Sequence, residues 1–474
     1  MSSQASGTVQ KKWYERIPHT YVILFCMIVI AAILTWILPA GEFTRKAVGN
    51  VARPQVIPGS YVQVEQSGVG GWSLLKSIPV GLNAASGIIF MIMISTAAFG
   101  VIRETGALDN SIGAALEVVK KAKIPGAVTI WAVTFLFSLL GVLVGPEMHL
   151  PFIVIAISIA LGLGYDVMVG LGMVIGGGYT GFAFGPLNAA VLGSAHAIMG
   201  LQTFSGQGLR WILWFCATVV CAAFTSFYAG RIIKHPEKSL TKDVDISEFK
   251  LTTGVSGGTY KVTGRHKLVL LVLTAIFAFI IIGAAKWGWY LTEMATVFLA
   301  GGVVAGLLYG YKIRRVIDLY IKGAASAAGV ALLVGIARGI QVVLEQGKIM
   351  DTIINALSAP LQNFGAVFGG IFISIVTAAV HFFIPSGSGT VFSVMPILGP
   401  LGEMIGVSAQ TAVLAVQIGA TVPNFLFPTV GVMMAMLGIS KVPIDKWYRF
   451  AIKLTLLLFI VSWVFIFIAL KTGY

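Results

Sequence analysis

The sequence predicts an all-α polytopic membrane protein with nine full spans and two re-entrant helical hairpins. Three observations carry that expectation. Of the 474 residues, 57% are hydrophobic and only 11% charged, whereas a soluble domain carries about 25% charged residues. Several apolar runs reach the ~20 residues needed to cross ~30 Å of hydrocarbon. Four of these runs are interrupted in mid-course by proline and glycine, three of them also by hydroxyl residues, which suit a lipid-facing helix poorly. The runs are too continuous for a β-barrel, whose strands alternate in ~10-residue segments.

Residues 1–18 are polar and carry Lys11, Lys12 and Arg16, which places the N-terminus in the cytoplasm. Thr20 to Leu38 crosses outward, and with no small-residue cleavage site after it, it reads as a retained span. Residues 39–85 read as an external loop with a short strand pair, and Ser86 to Ile102 as the inward span. Residues 107–121 are amphipathic, end in Lys120-Lys121, and suit the inner interface. Between Ile124 and Gly164 an apolar run turns at Gly145-Pro146-Glu147-Met148-His149-Leu150-Pro151, the tip of a first hairpin. Met168 to Gly200 crosses outward with breaks expected at Gly176–Gly181 and at Gly185-Pro186. Arg210 to Ala229 returns inward.

Residues 234–266 form a polar, Lys-bearing cytoplasmic linker, dividing the chain into an N-terminal half (1–233) and a C-terminal half (267–474). In the second half, Leu268–Ala285, Leu291–Tyr311 and Ala324–Val343 read as spans and Glu345–Leu361 as an external amphipathic segment. The run from Phe364 to Ile405 carries one residue ionised at neutral pH, Glu403, and turns at Pro385-Ser386-Gly387-Ser388-Gly389-Thr390, a second hairpin tip. Ser408 to Leu437 crosses inward with breaks expected at Gly419–Asn424 and Phe427–Thr429, and Tyr448 to Leu470 exits, leaving the C-terminus external.

The net charge of +14 follows the positive-inside pattern, since most of the 32 Lys and Arg fall in segments assigned to the cytoplasm. It does not indicate a nucleic-acid partner. Cys26, Cys216 and Cys221 lie in apolar runs and read as packing residues. No metal-ligand, phosphate-loop or hydrolase motif appears, so an enzyme is not expected.

The two halves repeat each other at a nearly constant offset. Glu104 and Gly106 match Glu345 and Gly347; Pro146 matches Pro385; Gly164, Gly177 and Pro186 match Gly406, Gly419 and Pro428. The charge assignment starts one copy outside and the other inside, so the copies are inverted. Inverted repeats with paired broken helices are the mark of secondary transporters, with the solute site at the midplane between copies.

The run Phe383-Ile384-Pro385-Ser386-Gly387-Ser388-Gly389-Thr390, then Pro396-Ile397-Leu398-Gly399-Pro400-Leu401-Gly402, with Gly162–Asp166 and Phe427-Pro428-Thr429, resembles the YfcC-type family of basic amino acid antiporters. That family stands with the C4-dicarboxylate anaerobic carrier-like proteins of the ion transporter superfamily. The resemblance covers nearly the whole chain and implies two hairpins in inverted repeats and elevator-type movement. Two departures matter. Glu147-Met148 stands where members carry two adjacent acids, and Ala420-Thr421 where they carry an acid near Gly419. Both bear on whether the substrate is a basic amino acid.

The candidate substrate-binding residues are Glu147, His149, Tyr179, Thr180, Asn188, Ser386, Gly387, Ser388, Thr390, Thr421, Asn424 and Thr429. Glu147 is the one carboxylate expected near the midplane, where an ionisable group is costly and points to function. With Ser386 and Ser388 it is the candidate ion-coupling set, for Na+ or H+. His149 can pair with Glu147 or accept a proton. The hydroxyls and amides of the tips and breaks complete two half-sites. His196 and His381 are expected away from the breaks as packing residues, and Glu104, Glu345 and Asp351 are expected to face water. The reading is ion-coupled symport or exchange of a small carboxylate-bearing metabolite, an amino acid by family. A C4-dicarboxylate or other organic anion is the alternative, and a channel a more distant one. No cofactor beyond the coupling ion, no nucleic acid, contact with membrane lipid, and a homodimer in the bacterial inner membrane are the remaining expectations.

Overall fold

The computed structural model describes residues 20–46, 55–57, 59–143, 145–249, 260–289 and 291–474. These residues are almost wholly helical. Helix α1 (Thr20–Ile37) leads into four two-residue strands; β1 (Gly41–Glu42) pairs antiparallel with β4 (Val62–Gln63), and β2 (Arg45–Lys46) with β3 (Gln55–Val56). Then follow α2 (Gly71–Ala84), α3 (Ser86–Glu104), α4 (Ala107–Lys121), α5 (Gly126–Leu143), α6 (Phe152–Gly162), α7 (Val167–Leu171), α8 (Gly177–Phe184), α9 (Ser194–Ile198) and α10 (Gln207–Lys234). The second half holds α11 (Gly264–Trp287), α12 (Leu291–Tyr309), α13 (Ile313–Gln346), α14 (Met350–Ser358), α15 (Ala366–Phe383), α16 (Gly387–Met404), α17 (Ala409–Thr421), α18 (Gly431–Ile439) and α19 (Ile444–Thr472). Residues 1–19 and 250–259, which include part of the expected N-terminus and linker, lie outside the described residues.

Among the described residues nine helical segments are long and apolar enough to cross a membrane, so this is a multi-pass membrane protein. They are not the nine expected spans. The first arms of both turned runs, α5 and α15, are long enough to count, whereas the expected span Thr20–Leu38 falls just short as α1 and Ser408–Leu437 divides into α17 and α18. The loop expected to be external also holds a helix, α2, which residues 39–85 were not expected to form. Its Gly81 explains it: a Cβ there would lie 2.5 Å from the Gly335 carbonyl oxygen and 2.7 Å from the Gly339 nitrogen. Small residues let two backbones approach where lipid offers no hydrophobic drive to associate. The 34-residue α13 packs along α1, α2 and α3, and α12 packs on α3 and α11, giving one helical body.

The second body is built from α5 to α10, α15 to α17 and α19, while α18 packs chiefly on α13 of the first. Each turned run is a pair of adjacent helices whose outer ends meet. A Cβ on Gly406, just past α16, would lie 3.7 Å from Ala366, where α15 starts. Corresponding elements make corresponding contacts: α5 lies on α8 as α15 lies on α17, and α6 on α7 as α16 on α17.

Of the expected breaks, Gly185-Pro186 and Phe427–Thr429 fall where the backbone leaves the helix, whereas the earlier glycine runs do not. Gly176–Gly181 does not interrupt the backbone; a π-helical turn over Gly172–Gly176 runs into α8. These glycines serve packing, since a Cβ on Gly177 would meet the Thr134 carbonyl and one on Gly181 would collide with that of Ser138, both on α5. The true break is Gly185–Asn188. Likewise Gly419–Thr421 is helical, Gly419 facing α15, and the second break begins with a 3-10 turn at Val422 and runs to Val430. At the second tip only Ile384–Ser386 is non-helical; Gly387–Thr390 is the first turn of α16, capped by Ser386 Oγ, which accepts from Gly389 N at 3.3 Å.

Asp351 does not face water. It is 4% exposed, accepts from Phe43 N at 2.9 Å, and pairs with Arg45 at 2.6 Å, clamping the strand-bearing loop onto α14. Glu104 and Glu345 are exposed as expected. At the end of the molecule that carries the linker, Lys441 pairs with Glu248 at 2.8 Å, and Lys446 with Asp243. Arg103 Nη2 donates to the Glu248 carbonyl.

Candidate functional site

A helix that stops inside apolar surroundings leaves carbonyls and amides without partners, and each must be met by protein or by a wet cavity. At the first break Gln417 of α17 donates from Nε2 to the carbonyls of Ala183 (3.0 Å) and Gly185 (3.2 Å). Asn188 donates from Nδ2 to the Phe182 carbonyl at 2.9 Å and accepts from Val191 N at 3.1 Å. At the second break Trp447 Nε1 donates to the Phe425 carbonyl at 2.7 Å. At the second tip the Thr390 hydroxyl donates to the Ile384 carbonyl at 2.8 Å.

His381 joins these last two features. One ring nitrogen, Nδ1, lies 2.9 Å from Thr390 Oγ1, and the other, Nε2, lies 2.9 Å from Asn424 Oδ1. The ring is fully buried. So His381, expected away from the breaks, bridges the second tip to the second break. His196 does lie apart, bonded to Gln410 and to Phe204 N.

Between the two helical bodies lies a cavity of about 700 Å³. Both tips and both breaks open on it, through Pro146-Glu147, Tyr179 and Asn188 on one side and Ser386-Gly387-Ser388, Asn424 and Thr429 on the other. The facing wall is Ala84, Ala85, Gly87, Ile88, Leu291 and Met294 with Arg338 of α13. Among the described residues, Glu147 and Arg338 are the two charged side chains lining it. Glu147 is 7% exposed. The buried hydroxyls of Tyr179 and Thr429 make no hydrogen bond among the described residues, so both remain to serve a solute or water. Tyr179 is held edge-on against Phe425, centroids 5.5 Å apart. The first turn of α16, at Ser386–Ser388, presents backbone amides that favour an anionic group.

The structure thus gathers Glu147, Tyr179, Asn188, Ser386, Gly387, Ser388, Asn424 and Thr429 at one cavity, and sets four candidates behind it. His149 bonds through Nε2 to the Phe137 carbonyl at 3.0 Å; Thr180 is buried on α8; Thr390 and Thr421 tie backbone carbonyls. Arg338 escaped the sequence reading, though a cation inside an apolar run carries the same signal that singled out Glu147. Among the described residues no cluster of three His, Cys, Asp or Glu could hold a metal.

The C4-dicarboxylate anaerobic carrier family matches residues 17–471. YfcC of Escherichia coli strain K12, provisionally named a basic amino acid antiporter, is 30% identical over 512 residues and covers 100% of both chains. A protein of Haemophilus influenzae is 28% identical over 492 residues, spanning 94% of this chain and 95% of its own. Among solved structures, the YdaH transporter of Alcanivorax borkumensis aligns over 96% of this chain and 99% of its own at 16% identity, with a TM-score of 0.43, a likeness too weak to bear on the fold.

Proposed function

This chain belongs to the C4-dicarboxylate anaerobic carrier family and is a membrane transporter rather than an enzyme, and we propose that its cargo is a small metabolite bearing both a carboxylate and an amine, an amino acid first among them. The observation that carries this reading is the placing of Glu147 and Arg338 on one cavity. An α-amino acid offers a carboxylate to the fork of a guanidinium and an ammonium to a carboxylate. The amides at the start of α16 add to the pull on the carboxylate. The name given to YfcC agrees with such a cargo.

A C4-dicarboxylate is the second reading, favoured by the family description and by Arg338 with the α16 amides. It leaves Glu147 to bind the coupling ion, H+ or Na+, with Ser386 and Ser388. In either case the solute sits between the tip-bearing body and the body of α1–α3 and α11–α13. Sliding of the first past the second is the elevator motion proposed here. The matching contacts of α5, α6 and α8 with α15, α16 and α17 support the inverted repeat. The orientation proposed remains N-terminus cytoplasmic and C-terminus external, in a homodimer.

Uptake into proteoliposomes, with inward and outward gradients of H+ and Na+, tests the reading. Amino acids are expected to be carried, with Arg338→Gln raising apparent KM at least about 30-fold, as loss of one partner of a buried charge pair costs ~2–5 kcal/mol. Glu147→Gln is expected to abolish amino acid uptake. Uptake of dicarboxylates alone would replace the amphoteric cargo with the anionic one. Gradient-independent conductance would remove the carrier reading altogether.

A further inference from the structure

A second cavity, of about 1090 Å³, lies where α10 ends and α19 begins, remote from the cargo site. The two helices meet at aromatic contacts: Phe224 and Tyr228 stand edge-on to Phe450, with centroids 5.0 and 5.5 Å apart. Beyond Phe450 the space between them is closed by the linker, and the closure is built rather than loose. Tyr228 and Ser239 both donate to Asp166 Oδ2 at 2.6 Å, Leu240 N donates to the Tyr228 oxygen at 3.0 Å, and Lys446 pairs with Asp243. Asp166 in turn caps α7 by accepting from Val169 N.

The lining is strongly basic. Arg231, Lys238, Lys242, Lys446, Arg449 and Lys453 stand against three acids, Glu237, Asp243 and Asp445. Lys446 is taken by Asp243, and Glu237 lies 3.2 Å from His235. Six cations thus face three acids around one half-open space. The flank is apolar: Phe227 is 72% exposed and Leu456 57%, on the same two helices and facing outward. Large exposed hydrophobics mark the lipid-facing surface along this chain's long helices, so the pocket opens beside acyl chains. A phospholipid needs both, cations for the phosphate and an apolar flank for the acyl chains. Basic pockets between membrane helices at the cytoplasmic side are recognised anionic-lipid sites in general.

We propose that this pocket binds the phosphate headgroup of an anionic phospholipid, with its acyl chains along the flank of Phe227 and Leu456. The lipid would bridge the end of α10, the start of α19 and the linker, and neutralise charge that otherwise repels itself across the groove. Phosphate is the shared chemistry; the source is the bilayer, not a soluble phosphate ester.

The test uses the full-length protein, delipidated in neutral detergent. It is titrated with phosphatidylglycerol, with phosphatidylcholine and, separately, with glycerol 3-phosphate. Bound lipid is counted by native mass spectrometry, and thermal unfolding is followed alongside. Phosphatidylglycerol is expected to bind and stabilise well above phosphatidylcholine, and glycerol 3-phosphate is expected to do neither. Lys238→Gln with Lys242→Gln should weaken phosphatidylglycerol binding about five-fold per cation removed. Lys120→Gln with Lys121→Gln, at the end of α4, should leave it unchanged. Lys238→Arg with Lys242→Arg should retain it. Equal losses in the α4 control, or no preference between the two lipids in the parent protein, would overturn the proposal. A shift produced by glycerol 3-phosphate would assign the pocket to a soluble ester instead.

Discussion

Replacing His381 with alanine tests whether one ring ties the second tip to the second break. The ring is fully buried and makes two hydrogen bonds, to Thr390 and to Asn424, each 2.9 Å long. Each is worth about 1 kcal/mol net. Asn424 is only 5% exposed, so its carboxamide, left without a partner, adds about 1–3 kcal/mol. The expected loss is therefore about 3–5 kcal/mol. Denaturant unfolding in detergent, followed by tryptophan fluorescence, measures it. His381 does not line the cavity, so its effect on transport must come through Asn424 and the Ser386–Ser388 turn. His381→Ala should raise apparent KM more than it lowers the maximal rate, and His381→Gln, which keeps one bond, should recover part of both. A stability change below about 1 kcal/mol together with an unchanged KM would refute the bridge.

Gly181→Ala should destabilise by about 1–3 kcal/mol, as overpacked cores do, because its Cβ collides with the Ser138 carbonyl and α5 must move off α8; unfolding midpoints of purified protein decide it. Gln417→Leu should cost about 3–5 kcal/mol, since it frees two buried carbonyls and leaves Arg210, whose Nη1 donates to Gln417, without that acceptor; an unfolding midpoint within error of the parent would contradict this. The hydrogen bond from Lys446 holds the Asp243 carboxyl below its usual range. A depressed carboxylate stabilises above its unfolded pKa of ~3.9 and loses that contribution as pH falls through the folded value. Linker docking should therefore loosen only below about pH 4, and by less than ~1 kcal/mol for so exposed a pair, read as faster hydrogen exchange at residues 239–245.

The turned runs, the interrupted helices and most cavity residues were legible because membrane physics penalises proline, glycine clusters and charge at depth. What could not be read was the use to which each glycine is put. Gly181 and Gly185 lie four positions apart in the same apolar stretch and both pack closely, against the Ser138 carbonyl and Val142, yet the helix runs through the first and stops at the second, ahead of Pro186. The atom that decides Gly181 is the Ser138 carbonyl on another helix, and no local pattern announces it. Asp351 was misplaced for the same reason: its partner, Arg45, is 306 residues away in sequence. The α2 helix was hidden because Pro79 and Gly81 argue against helix locally, while close contact with α13 favours it. Arg338, by contrast, was open to the same reasoning that found Glu147.

The Gln417 clamp has a consequence for biosynthesis. The carbonyls it holds lie up to 234 residues earlier in the chain, so at ~5–20 residues per second they leave the ribosome tens of seconds before their partner. During that interval the first broken helix is inserted with its polar backbone ends unsealed. It must wait within the translocon or borrow water. A gene split at the linker would leave that wait without end, and its first product would be a natural client for membrane quality control.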